Sequence, residues 1–122
     1  MRKKAKELTE AEWILETWLG SKPYEFLKEY RFHSEREWRF DYFIWRRTND
    51  GKGPTRKASL ALEVEGITYR GPGTRHQRGA GYEKDCEKYA NAVIAGYSLL
   101  RVTPNQIKSG VALGWIDEFF KK

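Results

Sequence analysis

The chain has 122 residues, 23 Lys plus Arg against 17 Asp plus Glu, and a net charge of +6. That length suits one domain with a core that folds without metal or disulfide, and the single cysteine, Cys86, excludes both an intramolecular disulfide and a cysteine-built zinc site. No apolar run approaches the ~20 residues of a membrane span, and no apolar segment follows the basic Met1-Arg2-Lys3-Lys4 as a secretory leader requires. The expected compartment is therefore the cytosol, and the cationic excess is expected to attract nucleic acid or anionic lipid.

Thr9-Glu10-Ala11-Glu12 reads as a capping box opening a helix over 9–19. Leu8, Leu15, Trp18 and Leu19 form its apolar stripe, and Gly20-Ser21-Lys22-Pro23 ends it. Residues 24–28 read as a further short helical turn. Tyr30 to His33 and Trp38 to Trp45 read as strands around the charged turn Ser34-Glu35-Arg36-Glu37. In the second, Phe40, Tyr42 and Ile44 alternate with Asp41, Phe43 and Trp45.

Residues 48–59, with Asn-Asp-Gly-Lys-Gly-Pro at their centre, read as a long hairpin loop. Its cations Lys52, Arg56 and Lys57 suit either a solvated tip or a grip on DNA. Leu60 to Glu65 is the expected central strand, with 67–69 as an extension past Gly66. The glycine-rich stretch 71–81 carries Arg75, His76 and Arg78 and reads as an irregular loop. Cys86, Tyr89, Ala90, Val93 and Ile94 recur at i, i+3, i+4 and i+7, which predicts a helix that buries Cys86 and stops at Gly96. A last strand is predicted over 97–102. Thr103-Pro104 then caps a helix broken at Ser109-Gly110, and Ala112, Leu113, Ile116, Phe119 and Phe120 predict a final amphipathic helix with its aromatics in the core or at a dimer seam. The order predicts an α/β fold: a central mixed sheet of four to five strands flanked by helices, in one domain over 1–122, with a first helix at 9–19, a core at 29–102 and C-terminal helices at 104–121.

Acidic groups concentrate on the central strands. Glu63 and Glu65 project the same way, roughly 7 Å apart. If the second and third strands pair, Asp41 faces Glu63 across the ladder at roughly 5 Å. Clustered carboxylates repel unless protonated or bound to a cation. Oxygen-only donors select Mg²⁺ or Mn²⁺, and such an ion polarises a phosphate and acidifies a bound water.

Arg-Phe-Asp-Tyr (39–42), Leu-Glu-Val-Glu-Gly (62–66), the helical run Glu-Lys-Asp-Cys-Glu-Lys-Tyr (83–89) and Gly-Tyr-Ser-Leu-Leu-Arg-Val (96–102) resemble the PD-(D/E)xK nuclease superfamily. The likeness spans about residues 29–110 and is closest to small phage-type enzymes related to VRR-NUC, very-short-patch-repair-like and archaeal-type Holliday junction resolvases. It implies a restriction-endonuclease-like core and a Mg²⁺- or Mn²⁺-dependent DNA endonuclease. It also implies that Asp41, Glu63 and the Val64 carbonyl are metal ligands, and that the helix carrying Lys84, Asp85 and Lys88 flanks the site. Glu12 is the nearest match to the N-terminal glutamate that often completes such sites, and it equally suits a helix cap. Phe40 stands where the motif has proline, and Glu65 where it has the catalytic lysine. Glu65 then serves as base, as a second metal's ligand or simply as the partner of Arg70, while Lys84 or Lys88 supplies the positive charge. Arg31, His33, Arg39, Arg70, Arg75, His76 and Arg78 are the expected DNA contacts. The implied substrate is branched DNA, above all a four-way junction cut by a homodimer. The alternatives are a mismatch- or structure-directed nicking enzyme and a non-catalytic nucleic-acid-binding module.

Overall fold

The structure is a computed structural model in which residues 7–66 and 80–121 are described. Its elements are α1 (Glu10–Gly20), β1 (Tyr24–Arg31), β2 (Arg39–Arg46), β3 (Ser59–Val64), α2 (Ala80–Ile94), β4 (Ser98–Val102), α3 (Pro104–Lys108) and α4 (Val111–Lys121). The expected extension at 67–69 and the loop cations Arg70, Arg75, His76 and Arg78 lie outside the described residues.

The strands form one mixed sheet in the order β1-β2-β3-β4. β1, β2 and β3 make an antiparallel meander, and α2 carries the chain across to β4, which lies parallel to β3. β3 is buried on both faces, which explains its unbroken Leu60-Ala61-Leu62 run. Leu60 and Leu62 join one core cluster and Ala61 the other, as strand alternation requires.

Helices α1, α3 and α4 cover the first face. Leu15 and Leu19 from α1, Ile107 from α3, and Ile116 and Phe120 from α4 pack there on Tyr42, Ile44, Leu62 and Val102. Thr9 and Glu12 form the expected capping box on α1, and Thr103 with Gln106 forms another on α3. Of the aromatics expected in the core or at a dimer seam, Phe120 is core and Phe119 packs beside it, whereas Trp115 is exposed. Leu8 lies outside the stripe it was expected to join and is exposed, because it precedes the cap.

Residues 24–28 are strand, not helical turn. Tyr24 pairs with Arg46 and Phe26 with Ile44, and the Arg47 N–H donates to the Pro23 carbonyl at 2.8 Å. A full ladder against β2 satisfies more backbone groups than one isolated turn, and Tyr24 and Phe26 thereby reach the core.

α2 is rotated away from the orientation its apolar stripe predicts. Cys86 is exposed, Val93 and Ile94 are 61% and 84% exposed, and Ala92 is the residue buried against the sheet. Lys88 and Tyr89 point toward an acidic group on β3, and that polar pairing sets the rotation in place of the apolar period.

The β1–β2 ribbon turns over next to this acidic group. Phe40 and Tyr42 have the same strand parity, yet Phe40 belongs to the second cluster and Tyr42 to the first. Between the pairs Lys28↔Tyr42 and Tyr30↔Phe40 lies Glu29, whose φ of 54° is the left-handed region that bulky residues avoid. Asp41 sits opposite this irregularity.

Candidate active site

The β2–β3 ladder ends at the pair Tyr42↔Leu62. The next pair in that register is Asp41 with Glu63, and here side chains replace the backbone ladder. The Asp41 N–H donates to Glu63 Oε2 at 2.7 Å, and the Val64 N–H donates to Asp41 Oδ2 at 2.8 Å. Each carboxylate thus caps the other strand's backbone. The expected proximity of Asp41 and Glu63 is present, and this reciprocal exchange holds it.

α2 completes the far side. Lys88 Nζ donates to Glu63 Oε1 at 2.7 Å. The Tyr89 hydroxyl lies 3.2 Å from Glu63 Oε1 and 3.2 Å from Glu65 Oε2. With one proton it donates to one of them at a time. Arg101 Nε, on β4, donates to Glu65 Oε2 at 3.0 Å, and its guanidinium lies 4.4 Å from the centre of the Tyr89 ring. Glu63 is 5% exposed, and Lys88–Glu63 is the most buried ion pair among the described residues. A charge so deeply placed persists only when paired and hydrogen-bonded.

Burial pushes the Asp41 carboxyl up to about 6, and the Glu63 charge beside it pushes the same way. Glu29 adds to this, while the Val64 N–H and Lys88 oppose it. Burial also raises the Tyr89 hydroxyl, reinforced by Glu63 and Glu65. Tyr89 therefore remains a neutral donor across the physiological range. The hydrogen bond to Glu65 raises the Arg101 guanidinium against the opposing effect of burial.

The other expected site residues are spread more widely. Glu12 spends Oε1 on the Thr9 N–H at 2.9 Å, so it is a cap at the start of α1 and not part of this cluster. Lys84 and Asp85 are exposed on α2 ahead of Lys88. Arg31 and Arg39 pair at the end of the β1–β2 ladder. His33 Nδ1 accepts the Glu35 and Arg36 N–H groups at 3.1 and 2.9 Å. Glu65 pairs with Arg101, and its expected partner Arg70 lies outside the described residues.

Tyr89 and Arg101 were not singled out by sequence reasoning. Tyr89 falls in the apolar stripe that the helical period predicts. Arg101 had a legible signal: a lone cation in the Leu-Leu-Arg-Val strand, which a parallel register sets opposite Glu63. No protein-family model, no curated protein and no solved structure matches the chain.

The donor chemistry suits a hard divalent cation in one respect. Two adjacent carboxylates, one of them raised by burial and then by the other, gain from a positive charge between them. Among the described residues, however, no three His, Cys, Asp or Glu side chains converge as a metal-holding group. Glu63 already receives Asp41, Lys88 and Tyr89. An ion would share Glu63 with these donors and draw on the remaining oxygen of Asp41.

Proposed function

We propose that the chain is a metal-dependent endodeoxyribonuclease that hydrolyses phosphodiester bonds, with Asp41 and Glu63 as its acidic centre. The observation that supports this most is the Asp41–Glu63 exchange at the end of β3, with Lys88 from the crossover helix held on Glu63. The nuclease resemblance leaves its lysine position filled by Glu65, and Lys88 brings an ammonium to the same acidic group from the neighbouring helix.

In this reading Asp41, Glu63 and the Val64 carbonyl would hold Mg²⁺ or Mn²⁺, which when bound supplies Lewis-acid charge to the phosphate. Lys88 holds the Glu63 carboxylate in place and adds positive charge where the phosphate becomes more negative. Arg101 and Tyr89 hold Glu65 through one oxygen, and in this reading Glu65 takes a proton from the attacking water with the other. One water O–P bond forms and one P–O ester bond breaks. Arg31, His33 and Arg39, with Arg70, Arg75, His76 and Arg78, are the contacts this reading expects for the DNA backbone. Four-way junction DNA, and a homodimer that nicks it at two sites, follow from the resemblance alone.

The test compares wild type with Glu63→Gln on a four-way junction and on linear duplex, with Mg²⁺ and with chelator. Wild type is expected to cut only with metal. Glu63→Gln is expected to bind without cutting. Cutting that persists in the variant, or in chelator, overturns the assignment, and light scattering reads the oligomeric state. A second reading, a module that binds nucleic acid without chemistry, draws support from the three protein donors already on Glu63. It predicts binding with no cleavage under any metal condition.

A further inference from the structure

On the second face of the sheet, an open hollow of about 530 Å³ is lined by Tyr30, Arg31, Phe32, His33, Arg56 and Tyr97. Its size falls in the ~300–1,000 Å³ range of small-ligand sites. No carboxylate lines it among the described residues, although the protein carries 17 acidic side chains.

The aromatic floor is built from stacked rings. Tyr30 stacks on Phe43 with ring centres 4.3 Å apart, and Phe32 stacks on Phe40 at 4.1 Å with planes 2° apart. Tyr97 meets Phe32 edge-on at 5.6 Å. The rim is cationic, and its groups keep donors in reserve. Arg56 spends Nη1 on the Ala95 carbonyl at 3.0 Å, with its guanidinium 5.1 Å from the Tyr97 ring centre. Arg31 spends Nε on the Arg36 carbonyl at 3.1 Å. A guanidinium has five N–H donors, so each Arg retains several. His33 accepts two backbone N–H groups on Nδ1, which places its ring proton on Nε2 as a further donor.

Flat rings beside unspent guanidinium groups match one chemistry: a planar base attached to a phosphate. A bare anion has no use for the rings, and an apolar ligand has none for the cations. We propose that this hollow seats one unpaired nucleotide of a nucleic-acid strand, with its base against Tyr30 and Phe32 and its phosphate at Arg31 and Arg56. A base inside a duplex has both faces covered by its neighbours, so the hollow selects for strands with unpaired bases. Phe40, on which Phe32 stacks, directly precedes Asp41. The hollow and the acidic centre thus draw on the same strand, β2. The inference rests on the reading of nucleic acid as the ligand, and it specifies that a branch, flap or gap must offer an unpaired base.

The experiment measures binding in chelator, where no cutting occurs. The probes are a short single-stranded DNA carrying 2-aminopurine and the matching duplex, and the proteins are wild type, Arg56→Gln and Phe32→Leu. Wild type is expected to bind the single strand more tightly and to change the 2-aminopurine fluorescence. Each variant is expected to lose about tenfold or more on the single strand and little on the duplex. Thermal melts identify a variant that fails to fold, and the exposed Arg56 gives the decisive comparison. Equal losses on both probes, no loss in Arg56→Gln, or unchanged 2-aminopurine fluorescence in wild type overturns the proposal. Cleavage with Mg²⁺ is scored separately. Strand-selective binding without cleavage removes the nuclease reading and keeps the hollow, and cleavage without strand-selective binding does the reverse.

Discussion

Replacing Asp41 by asparagine is expected to stabilise the metal-free protein at neutral pH and to abolish cleavage. In the folded protein the Asp41 carboxyl stands at about 6, against an ordinary value of 3.8. At ~1.36 kcal/mol per tenfold change in the proton equilibrium, that difference amounts to about 3 kcal/mol of destabilisation once the group is ionised. Asparagine still accepts the Val64 N–H through its carbonyl oxygen, but that bond is weaker than one to a carboxylate. The expected net gain is therefore about 1–2 kcal/mol, or roughly 3–10 °C in melting temperature. The native value lies above the unfolded one, so the folded state binds the extra proton. The cost is absent below the unfolded value, grows as pH rises toward about 6, and is complete above it. The advantage of the variant should thus be full near pH 7.5 and gone near pH 4. Urea and thermal unfolding in chelator at both pH values measure it. Added Mg²⁺ should narrow the gap by stabilising wild type alone, by about 1.4 kcal/mol at tenfold excess over its Kd. A variant no more stable than wild type at pH 7.5, or one equally favoured at pH 4, refutes the reasoning.

Lys88→Met leaves Glu63 buried without its ammonium, and a loss of about 3 kcal/mol is expected in urea unfolding. The double variant Lys88→Met/Glu63→Gln should recover part of it, because it removes the stranded charge, and a strictly additive cycle would contradict the pairing. Tyr24→Phe removes a 2.6 Å hydrogen bond to Asp117 that ties β1 to α4. It should cost about 1 kcal/mol in the same assay and leave cleavage at the wild-type rate.

The parts of the fold that follow from local rules were legible in the chain. Thr9 and Thr103 announce their helices through side chains that reach three residues ahead, and the Leu60–Leu62 run announces a strand covered on both faces. The Asp41–Glu63 encounter was legible too, because antiparallel register converts spacing into proximity. What escaped depends on distant partners. Tyr24 to Lys28 become strand only because β2 offers them a ladder. The facing of α2 could not come from its apolar period, since Lys88 and Tyr89 turn it toward Glu63. Arg101 acquires meaning only when β4 is known to run parallel to β3. The role of Glu12 was undecided between cap and site, because one carboxylate three residues past a threonine serves either purpose until its orientation is known.

Among the described side chains of α2, Ala92 alone is buried, so the helix is moored to the sheet largely by the polar tethers that end on Glu63 and Glu65. The same oxygens that would greet a cation are the bollards to which the helix is tied. Any ligand drawing electron density from Glu63 slackens the mooring, and by thermodynamic reciprocity whatever tightens the helix must change that ligand's affinity.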